Sequence, residues 1–163
     1  MAPLNLTNAY TAPINPAGAT PILKRETVFA GLKLKVRDAT AFVPVIIHCE
    51  VVKEEGDVVT REIRFAEGKG PPGLVKEVCV ECEPTKVDFK QPDGSTISNI
   101  ISDGPIGDPT DLYLSYSFEW IHEGVEAGSE EAKKLQEDHR KTAKMAVDKT
   151  IETIRKLVND GKI

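Results

Sequence analysis

The chain has 163 residues, of which 40% are hydrophobic and 29% charged, an ordinary composition for one globular domain covering residues 1–163. Its formal net charge of -5 argues against a nucleic acid or an anionic membrane surface as partner, because both repel a net-acidic protein. The N-terminal residues lack the basic and apolar regions of a signal peptide, and no stretch is long and apolar enough to span a bilayer, so we expect a cytoplasmic protein without membrane insertion.

Residues 4–43 are predicted to form a strand and then one or two short helices. Residues 4–10 alternate between apolar and polar side chains, which is typical of a strand. After a run rich in Pro and Gly, residues 24–38 carry an apolar stripe at helical spacing, formed by Val28, Leu32 and Val36. Residues 39–43 predict a short further turn, which Pro44 ends.

From Val45 to Ile121 the sequence shows repeated short alternating runs, separated by turns that contain Gly, Pro and Asp. This pattern predicts a meander of about six antiparallel strands joined by hairpins. The connections include Pro92-Asp93-Gly94, a typical turn sequence.

One connection, Gly68 to Gly73, has the G-x-G-x-x-G spacing of a dinucleotide-binding loop. That motif requires a helix after the glycines, so that the phosphates meet free backbone amides. Here Pro71 and Pro72 remove two backbone donors, and residues 74–80 alternate as a strand. We therefore expect an exposed connection between two strands and no nucleotide cofactor.

The last segment, residues 129–159, has no internal Gly or Pro and predicts one long helix with Ser129 as its N-cap. Its apolar face is broad enough to be buried along most of the helix, and consists of Ala143, Ala146, Val147, Thr150, Ile151, Ile154, Leu157 and Val158. The element order predicts an α+β fold, in which a curved antiparallel sheet of about seven strands wraps around this helix.

Several stretches resemble those of a known family: Thr27–Lys35, Phe42–Pro44, Arg61–Phe65, Phe118–Trp120, Gly124–Glu131 and Ile154–Val158. With the element order, they resemble the helix-grip fold of the START and birch-pollen-allergen superfamily (SRPBCC), and in particular its fungal AtaL-like branch of secondary-metabolite proteins. The resemblance implies an apolar cavity between the sheet and the long helix. It is specific for fold and branch rather than activity, because the superfamily includes lipid carriers, hormone receptors, polyketide cyclases and aromatases.

Strand alternation places two polar side chains on apolar faces. Arg61 shares a face with Val59 and Ile63, where its guanidinium is predicted either to anchor an acidic or phenolic ligand or to pair with an internal carboxylate. Asn99 lies between Ile97 and Ile101 on their face. It is predicted either to orient a ligand oxygen or to satisfy a neighbouring strand.

The last predicted strand places Tyr116 and Trp120 on an aromatic face that is either core or cavity lining. In this register Glu119 faces outward, whereas a shift of one residue would reverse every assignment on the strand. His48 is predicted on the outer face, and His122 in a polar loop after the strand.

His139 is the one histidine placed where it could face a cavity, since it adjoins the apolar stripe of the long helix. The charged neighbours Asp138 and Arg140 also fit a position at the surface or at the boundary of the core. Both alternatives remain open from the sequence.

Together with this resemblance, the residues predict a protein that binds a small apolar or aromatic molecule, such as a secondary metabolite, in an internal cavity between the sheet and the C-terminal helix. The predicted ligand-binding residues are Arg61, Asn99, Tyr116, Trp120 and His139. The alternative is a cyclase, aromatase or isomerase in which Arg61 stabilises an enolate and His139 or Tyr116 moves a proton. A third alternative is an interaction module with a filled core. We expect neither a cofactor nor a metal, because no catalytic triad or ligand cluster stands out, and the three cysteines have neither disulfide nor zinc spacing.

Overall fold

The computed structural model describes all residues from Met1 to Ile163, in seven strands and two α-helices. A short 3-10 helix follows α1 at Ala39–Ala41. The elements in chain order are β1 (Leu4–Pro13), α1 (Arg25–Arg37), β2 (Ile46–Glu55), β3 (Val58–Phe65), β4 (Leu74–Cys82), β5 (Lys86–Lys90), β6 (Thr96–Asp103), β7 (Leu112–His122) and α2 (Glu130–Asn159).

The strands form one antiparallel sheet in the order β1-β7-β6-β5-β4-β3-β2. Strands β2 to β7 follow one another as a meander, and β1 closes the other edge beside β7. Helix α2 lies mainly against β1 and β7, and α1 lies against β2 and β6. This is the predicted α+β helix-grip fold, with a sheet wrapped around a long C-terminal helix.

Local sequence explains the curvature of the sheet at its β2 edge. Gly56 has a positive φ of 59° in the tight turn between β2 and β3, a conformation that glycine adopts without a steric penalty. Two irregularities in the β2–β3 register, between Ile46 and His48 and between Val51 and Lys53, bend and twist this edge strand. Such bulges also make an edge less suited to pairing with another chain.

The apolar face of α2 is buried near the middle of the helix and less so towards its end. Ile154 is fully buried and lies over Gly31 of α1, where an added Cβ would come within 2.5 Å of the Ile154 side chain. The two helices therefore pack closely at this point. Ile151, Leu157 and Val158 are only partly buried, so the fully buried face of α2 is narrower than the sequence predicts.

The ends of α2 follow the predicted signals. The Ser129 hydroxyl accepts a hydrogen bond of 3.1 Å from the backbone N–H of Ala132, which caps the first turn. Gly161 has a positive φ of 70° after the last turn, as is common where helices end. Neither helix is long and apolar enough to cross a membrane.

The glycine-rich segment Gly68–Gly73 lies in the connection between β3 and β4, and most of it is exposed. Leu74, directly after it, begins a strand rather than a helix. The helix that a dinucleotide-binding loop requires after its glycines is therefore absent here, and the segment is the predicted exposed connection between two strands.

Candidate functional site

A group of polar side chains is buried on the concave face of the sheet, where an apolar core would be expected. Some of these residues project inward from the strands at alternate positions, and the others belong to α1, to α2 or to the connection between β5 and β6. The buried polar residues are Lys35, Arg61, Glu77, Glu81, Gln91, Ser95, Asn99 and Thr150. Buried polar groups are costly unless they are paired, so the partners of each decide what this interior can do.

Arg61 forms a buried ion pair with Glu77 on the neighbouring strand β4. The Nε and Nη2 atoms of Arg61 donate to one Glu77 oxygen at 3.0 and 2.7 Å, and each side chain is only 3% exposed. The register places the two residues directly opposite each other. The internal carboxylate partner that the sequence left open as an alternative is therefore present.

Arg61 also holds the C-terminal end of α1. Its Nη1 atom donates to the backbone carbonyls of Lys35 and Val36, both at 2.9 Å. These carbonyls belong to the last turn of the helix, where intrahelical donors are missing and a positive charge is favourable. Of the five N–H groups of the guanidinium, one on Nη2 is left for another acceptor.

Lys35 is the buried cation without a carboxylate partner. Its Nζ donates to Oδ1 of Asn99 at 2.7 Å and lies 4.5 Å from the ring centre of Phe89 and 4.9 Å from that of Tyr116. Burial, together with the positive charge of Arg61, lowers the pKa of Lys35 to about 7, although the Glu77 carboxylate acts in the opposite direction. Near neutral pH this amine is therefore divided between its charged and neutral forms.

Two of these buried polar residues, Asn99 and Gln91, have unused hydrogen-bonding capacity. Nδ2 of Asn99 and Oε1 of Gln91 have no partner, although the other end of each amide is bonded, to Lys35 and to Glu77 respectively. One is a donor and the other an acceptor. Buried unsatisfied groups are rare in native proteins and often mark a place for water or a ligand.

Tyr116 is held in place rather than poised for proton transfer. Its hydroxyl shares a hydrogen bond of 2.7 Å with Oγ1 of Thr150 on α2. Thr150 in turn donates to the backbone carbonyl of Ala146 at 2.7 Å. Burial raises the pKa of Tyr116 well above its usual value, so the hydroxyl stays protonated.

A row of aromatic rings runs along β7 from this polar interior to the end of the sheet. The ring centres of Tyr116 and Phe118 are 6.1 Å apart, and those of Phe118 and Trp120 are 6.0 Å apart. Trp120 stacks on His139 of α2 at 5.6 Å. The predicted register of β7 is confirmed, because Glu119 is exposed while these neighbours face inward.

The row ends in a pair of histidines. The Nε2 atoms of His122 and His139 are 2.9 Å apart, so one ring donates to the other. Partial burial and the neighbouring His122 lower the pKa of His139. The prediction that His122 lies in a loop is wrong, because β7 extends to this residue, which pairs with Leu4 of β1.

The inner face of the sheet is fully covered around Asn99 and slightly exposed near the starts of β4 and β6. Val75, Ile97 and Phe118 retain 9%, 8% and 5% exposure, whereas Asn99 has none. The first half of α2 rests on β1, since Gln136 donates to the backbone carbonyl of Thr7.

Two open concavities lie elsewhere on the surface. A groove of ≈ 570 Å³ lies beside the C-terminal half of α2 and includes Ile151 and Arg155. A second concavity, of ≈ 300 Å³, surrounds the glycine-rich connection after Phe65. Neither contains a residue that the sequence predicts to bind a ligand.

The structure brings the five predicted residues into two connected groups. Arg61, Asn99 and Tyr116 belong to the polar interior, and Trp120 and His139 form the aromatic end of the row. Sequence reasoning missed Lys35 and Glu77. The signals were present, because Lys35 follows Leu32 by three positions on the apolar stripe of α1, and Glu77 alternates with Val75 and Cys79.

Comparison of the sequence with protein families gives one match. The model of the family AtaL, acetylaranotin biosynthesis cluster protein L, matches residues 8–161. This match confirms the resemblance inferred from the sequence. No curated protein matches the chain.

Solved structures show the same fold. The Zhui aromatase/cyclase from Streptomyces sp. R1128 is 11% identical with a TM-score of 0.69, covering 95% of this chain and 96% of its own. A START superfamily protein from Mycobacterium smegmatis is 10% identical with a TM-score of 0.68, and the match covers 93% of this chain and 98% of that protein. The di-domain ARO/CYC StfQ from the steffimycin biosynthetic pathway is 10% identical with a TM-score of 0.70, and the match covers 96% of this chain and 53% of StfQ. The chain thus spans about half the length of StfQ.

Proposed function

The chain belongs to the AtaL family, and on that premise we propose that it binds a small apolar or aromatic molecule between the concave face of the sheet and α2. The observation that carries this proposal is that hydrogen-bond donors without a partner lie next to aromatic rings in the same buried region. Lys35 and Asn99 offer free N–H donors in an interior whose walls include Phe89 and Tyr116. A flat molecule with an oxygen at one end would match both features.

The bound ligand lies along the aromatic row. Trp120 and His139 stack on each other at the outer end, and Tyr116 forms the inner end. Asn99 donates to the ligand oxygen through Nδ2. Two proteins of this fold, Zhui and StfQ, are aromatase/cyclases, which supports an aromatic ring system as the ligand.

Arg61 shapes this site rather than anchoring the ligand. Its charge is compensated by Glu77, and its Nη1 hydrogen bonds go to the last turn of α1. It thereby fixes the helix that carries Lys35. The residues that anchor the polar end of the ligand are instead Lys35 and Asn99, whose N–H groups have unused hydrogen-bonding capacity.

Ligand binding is tested with Trp120, the single tryptophan of the chain, as fluorescent reporter. 2-Naphthol and 2-methylnaphthalene have similar ring systems, but only the first carries a hydroxyl. We expect saturable changes in fluorescence with both. Asn99→Ala should weaken 2-naphthol about tenfold, the value of one hydrogen bond, and leave 2-methylnaphthalene within about twofold.

Asn5→Ala provides the matched control, because Asn5 is exposed on the outer face of β1. It should bind both compounds as the unmodified protein does. Failure of both compounds to bind, or equal weakening by Asn5→Ala and Asn99→Ala, would contradict the proposed site. Native mass spectrometry of the freshly purified protein adds an independent check, since a natural ligand should appear as a discrete mass increment.

A second candidate function is an enzyme of the cyclase, aromatase or isomerase kind. The observation that favours it is the amine of Lys35, which titrates near neutral pH beside an unused amide donor. This pair could remove a proton next to a carbonyl while Asn99 stabilises the enolate. Tyr116 is unsuited to accept that proton, because burial keeps its hydroxyl protonated.

This activity is tested by deuterium exchange at the central carbon of 1-phenyl-1,3-butanedione, followed by NMR. Catalysed exchange that Lys35→Met abolishes supports the enzyme. Tight binding of the diketone with no exchange above the rate in buffer supports a carrier.

A further inference from the structure

The amine of Lys35 is buried and has no carboxylate partner, unlike the amines of the ion-paired lysines on the surface. Several other lysines, including Lys33 on the same helix, form ion pairs with carboxylates. Lys35 forms none, and its one hydrogen-bond acceptor is the amide oxygen of Asn99. Burial and the positive charge of Arg61 both disfavour the ammonium form of Lys35.

The unused donor of Asn99 belongs to the same planar amide that accepts from Lys35. Oδ1 takes the hydrogen bond from Nζ, and Nδ2 has no partner. A nucleophile and a free N–H donor therefore lie side by side. This is the arrangement needed when a carbonyl carbon is attacked and negative charge develops on its oxygen.

We infer that Lys35 forms a covalent imine with an aldehyde or ketone group of the bound molecule. The inference rests on the proposed function, since the carbonyl compound must occupy the same site between the sheet and α2. It narrows the ligand class to apolar or aromatic molecules that carry a reactive carbonyl. Aromatic rings of Phe89 and Tyr116 flank the nitrogen and would shield the new C=N bond from water.

The chemistry balances without an oxidant or reductant. The lone pair of neutral Nζ attacks the carbonyl carbon, and the C=O electron pair moves to the oxygen, which accepts a hydrogen bond from Nδ2 of Asn99. The nitrogen then loses a proton and the oxygen gains one, which gives a carbinolamine. Loss of one water molecule forms the C=N bond, and protonation of the nitrogen gives the iminium ion.

The titration of Lys35 supports this step. With a pKa of about 7, about half of the amine is neutral near pH 7. A lysine with the ordinary value of about 10.4 is almost entirely protonated at that pH and is a poor nucleophile. Selective reaction at Lys35 follows, provided that the carbonyl compound reaches it.

The test is reductive trapping with 2-naphthaldehyde and sodium cyanoborohydride at pH 7, followed by peptide mass spectrometry. Hydride adds to the iminium carbon and leaves a stable secondary amine. Lys33 is the matched control, because it lies on the same helix but has a side chain that is 41% exposed and paired with Glu83. We expect labelling of Lys35 at least about tenfold faster than that of Lys33, given their different neutral fractions.

Lys35→Met should lose the selective adduct, whereas Lys33→Met should keep it. Labelling spread over surface lysines, and equal in the Lys35→Met protein, would overturn the inference. Binding of 2-methylnaphthalene is measured in parallel through Trp120 fluorescence, which also shows whether each variant is folded. If that compound binds but Lys35 is not labelled, the imine is refuted and the proposed site stands; if neither occurs, both are refuted.

Discussion

The buried pair of Arg61 and Glu77 gives a direct test of how the interior is built. Replacing Arg61 by Met keeps much of the side-chain volume and removes the charge. Glu77 would then be left with one hydrogen bond from Gln91 in a site where its side chain is 3% exposed. The last turn of α1 would also lose the two hydrogen bonds that Nη1 donates to its carbonyls.

The expected cost follows from these contacts. Breaking a buried ion pair by removing one partner costs about 3–5 kcal/mol, because the other charge stays buried. For a chain of this length that corresponds to a fall in Tm of about 10 °C. Replacing both partners by apolar residues is often close to neutral, so Arg61→Met/Glu77→Leu should recover more than half of the loss.

Urea denaturation, followed by circular dichroism and by Trp120 fluorescence, measures the free energy of unfolding for each variant. Arg64→Met is the matched control, because Arg64 is exposed on the outer face of the same strand. It should change the stability by less than about 0.5 kcal/mol. An Arg61→Met protein as stable as the control, with lost affinity for acidic aromatic compounds only, would refute the reasoning and make a ligand the true partner of Arg61.

Three further predictions concern other parts of the molecule. Ile154→Asp should cost several kcal/mol in thermal or urea unfolding, because it places a carboxylate in the contact between the helices. Ile151→Asp should cost much less, because Ile151 is only partly buried and lines the open groove; equal costs would contradict this packing. Calorimetry should detect no binding of NAD or ATP at Gly68–Gly73, and saturable binding lost in Gly70→Ala would contradict this. Because the pKa of Lys35 is lowered in the folded protein, the unfolded chain holds more protons than the folded one between pH 7 and pH 9. The free energy of unfolding should therefore rise with pH in this range, by up to about 1.4 kcal/mol per pH unit. Lys35→Met should flatten this rise, and an unchanged slope would show that the amine titrates normally. Above pH 9.0 the buried Cys79 thiol, whose pKa is raised to about 12, opposes the trend.

Much of the fold could be predicted because its signals are local. Alternation along β3 and β7 places Arg61 and Tyr116 on the inner face without reference to any other strand. The apolar face of α2 and its Ser129 cap likewise depend on neighbouring residues only. Where such local patterns are strong, the predicted and observed elements agree closely.

The partners within the site could not be predicted, because they depend on contacts distant in sequence. Glu77 meets Arg61 through the β3–β4 register, which the long connection between the strands does not reveal. Lys35 lies on the apolar stripe of α1, but a lysine at such a position is ordinarily solvated. Its burial depends on Asn99 and Tyr116, contributed by β6 and β7.

His122 shows the same limitation at the end of a strand. The polar residues after it predict a loop, whereas pairing with Leu4 of β1 extends β7 to this position. Only that extension brings its ring to His139. Element boundaries are set by such partners as much as by local sequence.

The central claim is that a small aromatic molecule binds between the sheet and α2 with its oxygen at Asn99. A ¹H–¹⁵N NMR titration with 2-naphthol tests it most directly, because the side-chain amide of Asn99 and the indole of Trp120 give separate signals. We predict that both signals shift together and saturate at the same ligand concentration. Saturable shifts confined to the surface groove around Ile151 and Arg155, with Asn99 and Trp120 unchanged, would contradict the claim.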